Sequence, residues 1–395
     1  MTLGYVTFDA LGGLEEALIT QYESLHPHIE IDLQRYRQAP LTYLAASTPP
    51  DLMLIVPGEQ LNAAIQQGML TDISELWQEL GLDASFPAAF RPLTTHNGKQ
   101  FLLPLGYTWN GVYYNRSVFD RYNLQPPRTW DEFITLCDTL LLNGETPLAI
   151  SGRDPFTALL WLDYLGLRLH GAAFQRQLAA GEIPYTDPRV RTVFELWRSL
   201  VERGYFLEEA STLTGLNAAM TLVRQQQIDL VRGRAAMIVA GPAAINELPE
   251  PFRAELDFFP FPTIDPTASV DEVVLVAGYM VPSAAPHRIE ALAYLAYLNT
   301  DAARALVSQD VNAADLYIPA LAHGEALNPS STMQQGQALV ARAQAVVTPY
   351  FLSVPQPMQA AVNDALRRLL ADPRRGSPFN LDETLDRLEA ARQRG

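Results

Sequence analysis

The sequence predicts an α/β protein of two domains, and three observations carry that prediction. At 395 residues the chain is longer than one hydrophobic core usually supports. Its 48% hydrophobic and 18% charged residues are those of an ordinary folded globular protein. The dominant rhythm is a short apolar run, a turn and an amphipathic helix, which predicts largely parallel strands with helices between them.

The elements follow in order. Leu3 to Phe8 is an apolar strand, and Gly12-Gly13 leads into a helix from Leu14 to Leu25 with Leu14, Leu18, Tyr22 and Leu25 on one face. His26-Pro27 stops that helix, and Ile29 to Leu33 alternates as a strand. Asp51 to Val56 is a buried strand closed by Pro57-Gly58, with a helix from about Glu59 to Gln67. Asn97-Gly98-Lys99 is a hairpin turn, and Lys99 to Pro104 and Gly111 to Asn115 are strands. Thr129 and Glu132 have capping-box spacing and start the helix that holds Cys137. Leu148 to Ile150 is a strand, after which Asp154 and Pro155 fit the N-cap and first position of a helix. Ala235 to Ala240 is a strand, Gly241-Pro242 opens a helix, Val273 to Val281 is extended, and helices dominate from Pro286.

Composition excludes several functions. A net charge of −16, with 44 acidic against 28 basic residues, argues against nucleic acid or an anionic membrane surface as partner. Lys99 is the only lysine and sits in a predicted turn, so Schiff-base chemistry is not expected. Cys137 is the only cysteine and lies on an apolar helical face, so it is expected in the core and no disulfide framework exists. The six histidines, at 26, 28, 96, 170, 287 and 323, are scattered and predict no metal site. No run of eighteen apolar residues is present to form a membrane helix. The chain opens on Leu3 to Thr7 without a basic stretch or cleavage site, which fits either a cytoplasmic protein or a mature form whose signal has been removed.

Four junctions share one geometry of strand, small or polar turn, and helix N-terminus: 9–13, 57–59, 152–156 and 241–244. In open α/β sheets ligands settle outside the carboxyl ends of strands, where such turns gather. Free helix N–H groups there can bond ligand oxygens. The pattern points to a binding site and does not identify the ligand.

Several segments together carry a resemblance. The first is the run from Tyr22 to Ile29 after the opening strand and helix, and the second is Thr48-Pro-Pro-Asp-Leu-Met-Leu54. The most specific is Gly98-Lys-Gln-Phe-Leu-Leu-Pro-Leu-Gly-Tyr-Thr-Trp-Asn-Gly-Val-Tyr-Tyr-Asn-Arg116, continued through Phe119, Pro126-Pro127 and Thr129-Trp-Asp-Glu-Phe133. Arg234 to Pro242 adds a strand ending in a Gly-Pro turn. Combined and in order, these resemble the extracellular solute-binding proteins that serve sugar ABC importers, the maltose-binding-protein group.

The resemblance implies a periplasmic-binding-protein fold of two discontinuous lobes joined by a multi-segment hinge. The N-terminal lobe would be 1–108 with 271–318, and the C-terminal lobe 109–270 with 319–395. It further implies a monomeric receptor that closes on a mono- or oligosaccharide, uses no cofactor, catalyses nothing and delivers its ligand to an ABC permease. Its place would be periplasmic, or extracellular and membrane-anchored.

Candidate ligand contacts follow from the residues and this resemblance. Tyr107 and Trp109, with Tyr113 or Tyr114, offer aromatic faces for a pyranose, although strand packing explains at least one of them equally well. Asn110 can donate to and accept from a hydroxyl. Asp9, Glu59 and Asp154 supply carboxylates in three of the four turns, and each also reads as a helix-end residue. Phe156 follows in what resembles the family's acid-Pro-aromatic contact, and Gly241 opens the Gly-Pro turn. That turn often carries Trp next in the family; here Ala243 stands there, so a stacking surface is missing. Gly278 and Tyr279, and the pair Tyr350 and Phe351 in an expected loop between Pro349 and Pro355, are candidates to replace it. Trp161 lies among leucines on a helix and reads as core.

Two other classes stay open at this level. A glycoside hydrolase needs only two carboxylates, about 5–5.5 Å or about 6.5–9.5 Å apart, which Asp9, Glu59 and Asp154 could supply. No nucleophile elbow, P-loop or HExxH motif supports that reading. The same fold could also sense a ligand for a membrane kinase.

Overall fold

The opening apolar run forms the strand Thr2–Thr7, and the helix after it spans Leu14–Leu25, the predicted limits. Leu14, Leu18 and Tyr22 are buried along one stripe of that helix, while Leu25 is exposed. In the computed structural model, the described residues are 1–7, 13–85, 88–154, 156–222, 235–309, 318–319, 330–371 and 379–394. They fall into two compact units: Met1–Thr108 with Val274–Ala341, and Trp109–Val273 with Arg342–Gly395.

The first unit is built on a six-stranded sheet in the order Ile318–Pro319, Leu103–Thr108, Leu275–Met280, Leu52–Ile55, Thr2–Thr7, Glu30–Arg35. Thr2–Thr7 pairs in parallel with both neighbours, whereas Leu275–Met280 is antiparallel to both of its own. The largely parallel sheet expected from the rhythm is therefore a mixed one. A βαβ crossover forces parallel pairing, but Leu275–Met280 is reached from the other unit and escapes that constraint. Buried Leu3, Tyr5, Leu54, Tyr279 and Leu295 form the core on one face of the sheet. The predicted hairpin turn is present: Asn97 and Gly98 have φ of 50° and 78°, and His96 faces Lys99. Lys99 makes a surface ion pair with Asp72 at 3.1 Å.

The second unit carries a four-stranded sheet in the order Leu256–Phe259, Gly111–Asn115, Ala235–Ala240, Thr146–Ala149. The helix Trp130–Leu142 starts at Thr129 with both capping-box bonds made, and its Cys137 is fully buried. Burial pushes the Cys137 thiol well above its ordinary range. The helix Phe156–Ala179 runs through the core with Trp161 and Leu165 inside it. It breaks at Gly171, whose φ of 75° favours glycine, and there Ala172 N donates to Asp271 Oδ2 at 2.8 Å.

The chain changes units at 108/109, at 273/274 and at 341/342. The last change comes later than the expected 318/319, because Ile318–Pro319 pairs with Tyr107 and Gly106 as an edge strand of the first sheet. The segment 350–353, expected as loop, is a helical turn, Tyr350–Ser353.

Candidate functional site

Each unit presents its candidate residues on its own framework. In the first unit, Asp9 lies outside the described residues. Glu59 is the first residue of the helix Glu59–Gln66, half-buried, and accepts from Gln60 Nε2 at 2.6 Å. Tyr107, expected as part of an aromatic platform, is only 3% exposed and packs on Phe90 with ring centroids 4.7 Å apart. Tyr279 is fully buried and lies tilted against Tyr5 at 5.8 Å. Gly278 sits where the pairing with Leu103–Thr108 shifts register. A Cβ there would fall 2.7 Å from Leu102 Cγ and 2.9 Å from Leu103 O, so glycine answers a close approach of two strands. Tyr107, Gly278 and Tyr279 are thus packed among elements of the first unit.

In the second unit, Trp109 and Asn110 begin a buried polar network. Trp109 is 1% exposed, with its ring 5.9 Å from that of Phe258. Asn110 uses Nδ2 to bond the Val273 carbonyl at 3.0 Å, while its own carbonyl accepts from the Tyr164 hydroxyl at 2.8 Å. Gly241 approaches so closely that a Cβ would lie 2.8 Å from Asn110 Oδ1 and 3.1 Å from Trp109 O. Tyr164 also faces Glu272 Oε2 at 3.0 Å, and Glu272 Oε1 pairs with Arg168 at 2.7 Å, both partners buried. Burial pushes the Glu272 carboxyl up, and the Arg168 charge beside it pulls it back. Asn110, expected to meet a hydroxyl of the ligand, instead binds three segments of the unit together. Buried polar groups stay in place only when their bonds are made internally.

The turn after Thr146–Ala149 is different, because it holds polar and aromatic groups at the surface. Gly152 N bonds Ala210 O at 2.9 Å and Arg153 N bonds Leu213 O at 3.0 Å, which fixes the turn against the segment 210–215. A Cβ on Gly152 would fall 2.6 Å from Ser211 Cα, so only glycine permits that approach. Asp154 is exposed; rather than capping the helix that follows, it accepts from Gly215 N through Oδ2 at 2.9 Å. Its Oδ1 has no hydrogen-bond partner among the described residues. Two residues on, Phe156 meets Phe351 edge to face, with centroids 5.5 Å apart and both rings half-buried.

Tyr350, the candidate named from the sequence, is 1% exposed, and its hydroxyl lies against that of Tyr185. The backbone N–H of Tyr350 donates to Asp163 Oδ1 at 3.1 Å and thereby sets the helical turn that turns Phe351 toward Phe156. The sequence put Tyr350 and Phe351 forward together, and the structure separates them, Tyr350 inside and Phe351 half-buried. No periodicity tells two adjacent aromatics in a four-residue turn apart. The described residues contain no group of three or more His, Cys, Asp or Glu arranged to hold a metal.

Comparison with known proteins agrees with this architecture. Residues 9–305 match the sequence profile of the bacterial extracellular solute-binding proteins. An uncharacterized ABC transporter extracellular-binding protein of Pyrococcus horikoshii is 23% identical over 297 residues, 72% of this chain and 64% of that protein. The chain thus spans just under two thirds of the length of such curated relatives. The alpha-glucosides-binding periplasmic protein AglE of Rhizobium meliloti is 25% identical over 199 residues, 47% of this chain and 42% of that one. Among solved structures, the bacterial solute receptor AcbH, described with an exclusive preference for β-D-galactopyranose, superimposes with a TM-score of 0.86. It is 23% identical, and the match covers 100% of this chain and 99% of AcbH. By sequence profile and by fold, the chain belongs to the bacterial extracellular solute-binding protein family.

Proposed function

We propose that this protein is the carbohydrate-binding receptor of an ABC importer, acting outside the cytoplasmic membrane. The observation that carries the reading is the surface turn of the second unit, where Asp154 Oδ1, without a hydrogen-bond partner among the described residues, stands two residues before Phe156 of the Phe156–Phe351 pair. A carboxylate accepts hydrogen bonds from sugar hydroxyls, and an aromatic face takes the apolar C–H face of a pyranose. The turn is held rigidly by its backbone bonds, so little ordering cost would fall on binding. The names of the similar proteins point the same way: AcbH prefers β-D-galactopyranose, and another receptor of this fold was solved with raffinose.

The reading includes a monomer that hands its ligand to a permease. No described helix is long and apolar enough to cross a membrane.

A thermal-shift screen against mono- and oligosaccharides, with amino acids, polyamines and glycerol phosphates as controls, tests the proposal. A ligand at a hundred times its Kd stabilises by about 2.7 kcal/mol, a readily visible rise in melting temperature. A saccharide hit that Asp154→Asn or Phe351→Ala weakens is the expected result. A hit confined to the controls would overturn the carbohydrate assignment.

A further inference from the structure

The second unit holds a surface pocket of about 1040 Å³ that none of the candidate ligand residues lines. Three of the chain's 28 basic residues converge on it from separate segments: Arg128 before the helix Trp130–Leu142, Arg168 inside Phe156–Ala179, and Arg342. In a chain of net charge −16, that reverses the local sign.

The three guanidinium groups stand in different states. Arg168 is fixed and nearly buried. It donates Nη2 to Glu272 at 2.7 Å, Nη1 to Asp271 O, and Nε to Phe261 O at 3.3 Å. A guanidinium has five N–H donors, so two of its donors remain. Arg128 and Arg342 are exposed, and neither side chain has a hydrogen bond or an ion pair among the described residues. The one carboxylate lining the pocket, Glu132, accepts through Oε2 from the backbone N–H groups of Arg128 and Thr129 at 2.7 and 3.1 Å, and its charge acts on the Arg128 guanidinium without an ion pair. That capping box occupies the end of the helix, so the helix terminus itself is not the attraction. The walls are apolar and stiff, formed by Pro126, Pro127, Phe259, Pro260, Phe261 and the exposed Val270.

We infer that this pocket is a binding site for a small organic polyanion, one bearing at least two carboxylate or phosphate groups. Arginine forks match the planar oxygens of carboxylate and phosphate, and two guanidinium groups with no ion pair among the described residues, beside a fixed third, bond to oxygens on different arms of one molecule. The volume suits a metabolite-sized ligand rather than a single inorganic ion. The site lies wholly within one unit and does not rest on the carbohydrate reading.

Isothermal titration of the intact protein in low-salt buffer with citrate and with pyrophosphate is the test, with sorbitol as a neutral control. The expected result is saturable one-to-one binding that added salt weakens. R128Q/R342Q should weaken it at least tenfold with the melting temperature and any saccharide affinity unchanged. The single variant R342E gives a second reading in case the double variant folds poorly. Absence of saturable binding overturns the inference. So does binding that both variants leave intact, or equal binding of sorbitol.

Discussion

Phe156 and Phe351 meet edge to face at 5.5 Å, each half-buried, in the same unit that buries Trp109 and Tyr350. The two rings come from different elements, one opening a long helix and one in a four-residue helical turn.

The first prediction concerns this pair. Phe351→Ala should weaken saccharide binding by about 2 kcal/mol, as expected when a large anchor is truncated. Isothermal titration reads the affinity, and Tyr350→Phe is the comparison. Tyr350→Phe should leave affinity alone, because its ring is already inside the core. Equal affinity for Phe351→Ala and the parent would remove the pair from the site.

Trp109 is expected to matter for stability. Its ring is buried against Phe258, and truncation leaves a cavity the strands around it cannot close. Trp109→Ala should lower unfolding stability by about 3–5 kcal/mol, measured by urea denaturation. A native unfolding midpoint with lost ligand affinity would return Trp109 to the binding surface.

Gly241 and Asn110 should show coupling. A methyl group at 241 meets Asn110 Oδ1 at 2.8 Å, and Asn110 cannot swing away without releasing Val273 O. Gly241→Ala should cost about 1–3 kcal/mol through overpacking. In the Asn110→Ala background the same change should cost clearly less, since the clashing oxygen is gone. Additive costs in a double-mutant cycle would refute the contact.

Asp163 sets a pH dependence. It is buried with no cation bonded to it among the described residues, and burial pushes its carboxyl well above the ordinary range, against the pull of the Tyr350 N–H. Gln175 Nε2 also donates to it, while Gln175 Oε1 is buried without a partner. A protonated Asp163 can donate to that oxygen once the amide turns over. The folded state therefore keeps a proton that the unfolded state has lost. Stability is fully present below the unfolded carboxylate value of about 3.9 and declines as pH rises toward the folded one. Asp163→Asn cannot lose that proton. Urea unfolding between acid and neutral pH should show the variant gaining on the parent by about 1.4 kcal/mol per pH unit across that window. A constant difference across pH would contradict this.

Much of the local structure was legible because it rests on short-range rules. The limits of the helix at Leu14–Leu25, the strands Gly111–Asn115 and Ala235–Ala240, the Thr129 capping box and the Asn97-Gly98 turn all follow from neighbouring residues. Core positions such as Cys137 and Trp161 were readable from helical periodicity. The site was less legible. Tyr107, Trp109 and Tyr279 were candidates for their aromatic rings, yet each packs against a ring from another element, Phe90, Phe258 and Tyr5 in turn.

The sequence by itself determined the α/β class, the two-unit size and the turns after Leu52–Ile55 and Ala235–Ala240, since pattern and length depend on the chain alone. Tertiary structure decided which aromatic faces outward. Whether Phe351 or Tyr350 is buried depends on Tyr185 and Asp163, held by other segments of the unit, and on the N–H bond that sets the turn. It also decided the direction of Leu275–Met280 and the late exit at Ala341, because strand partners come from segments that sequence distance does not reveal.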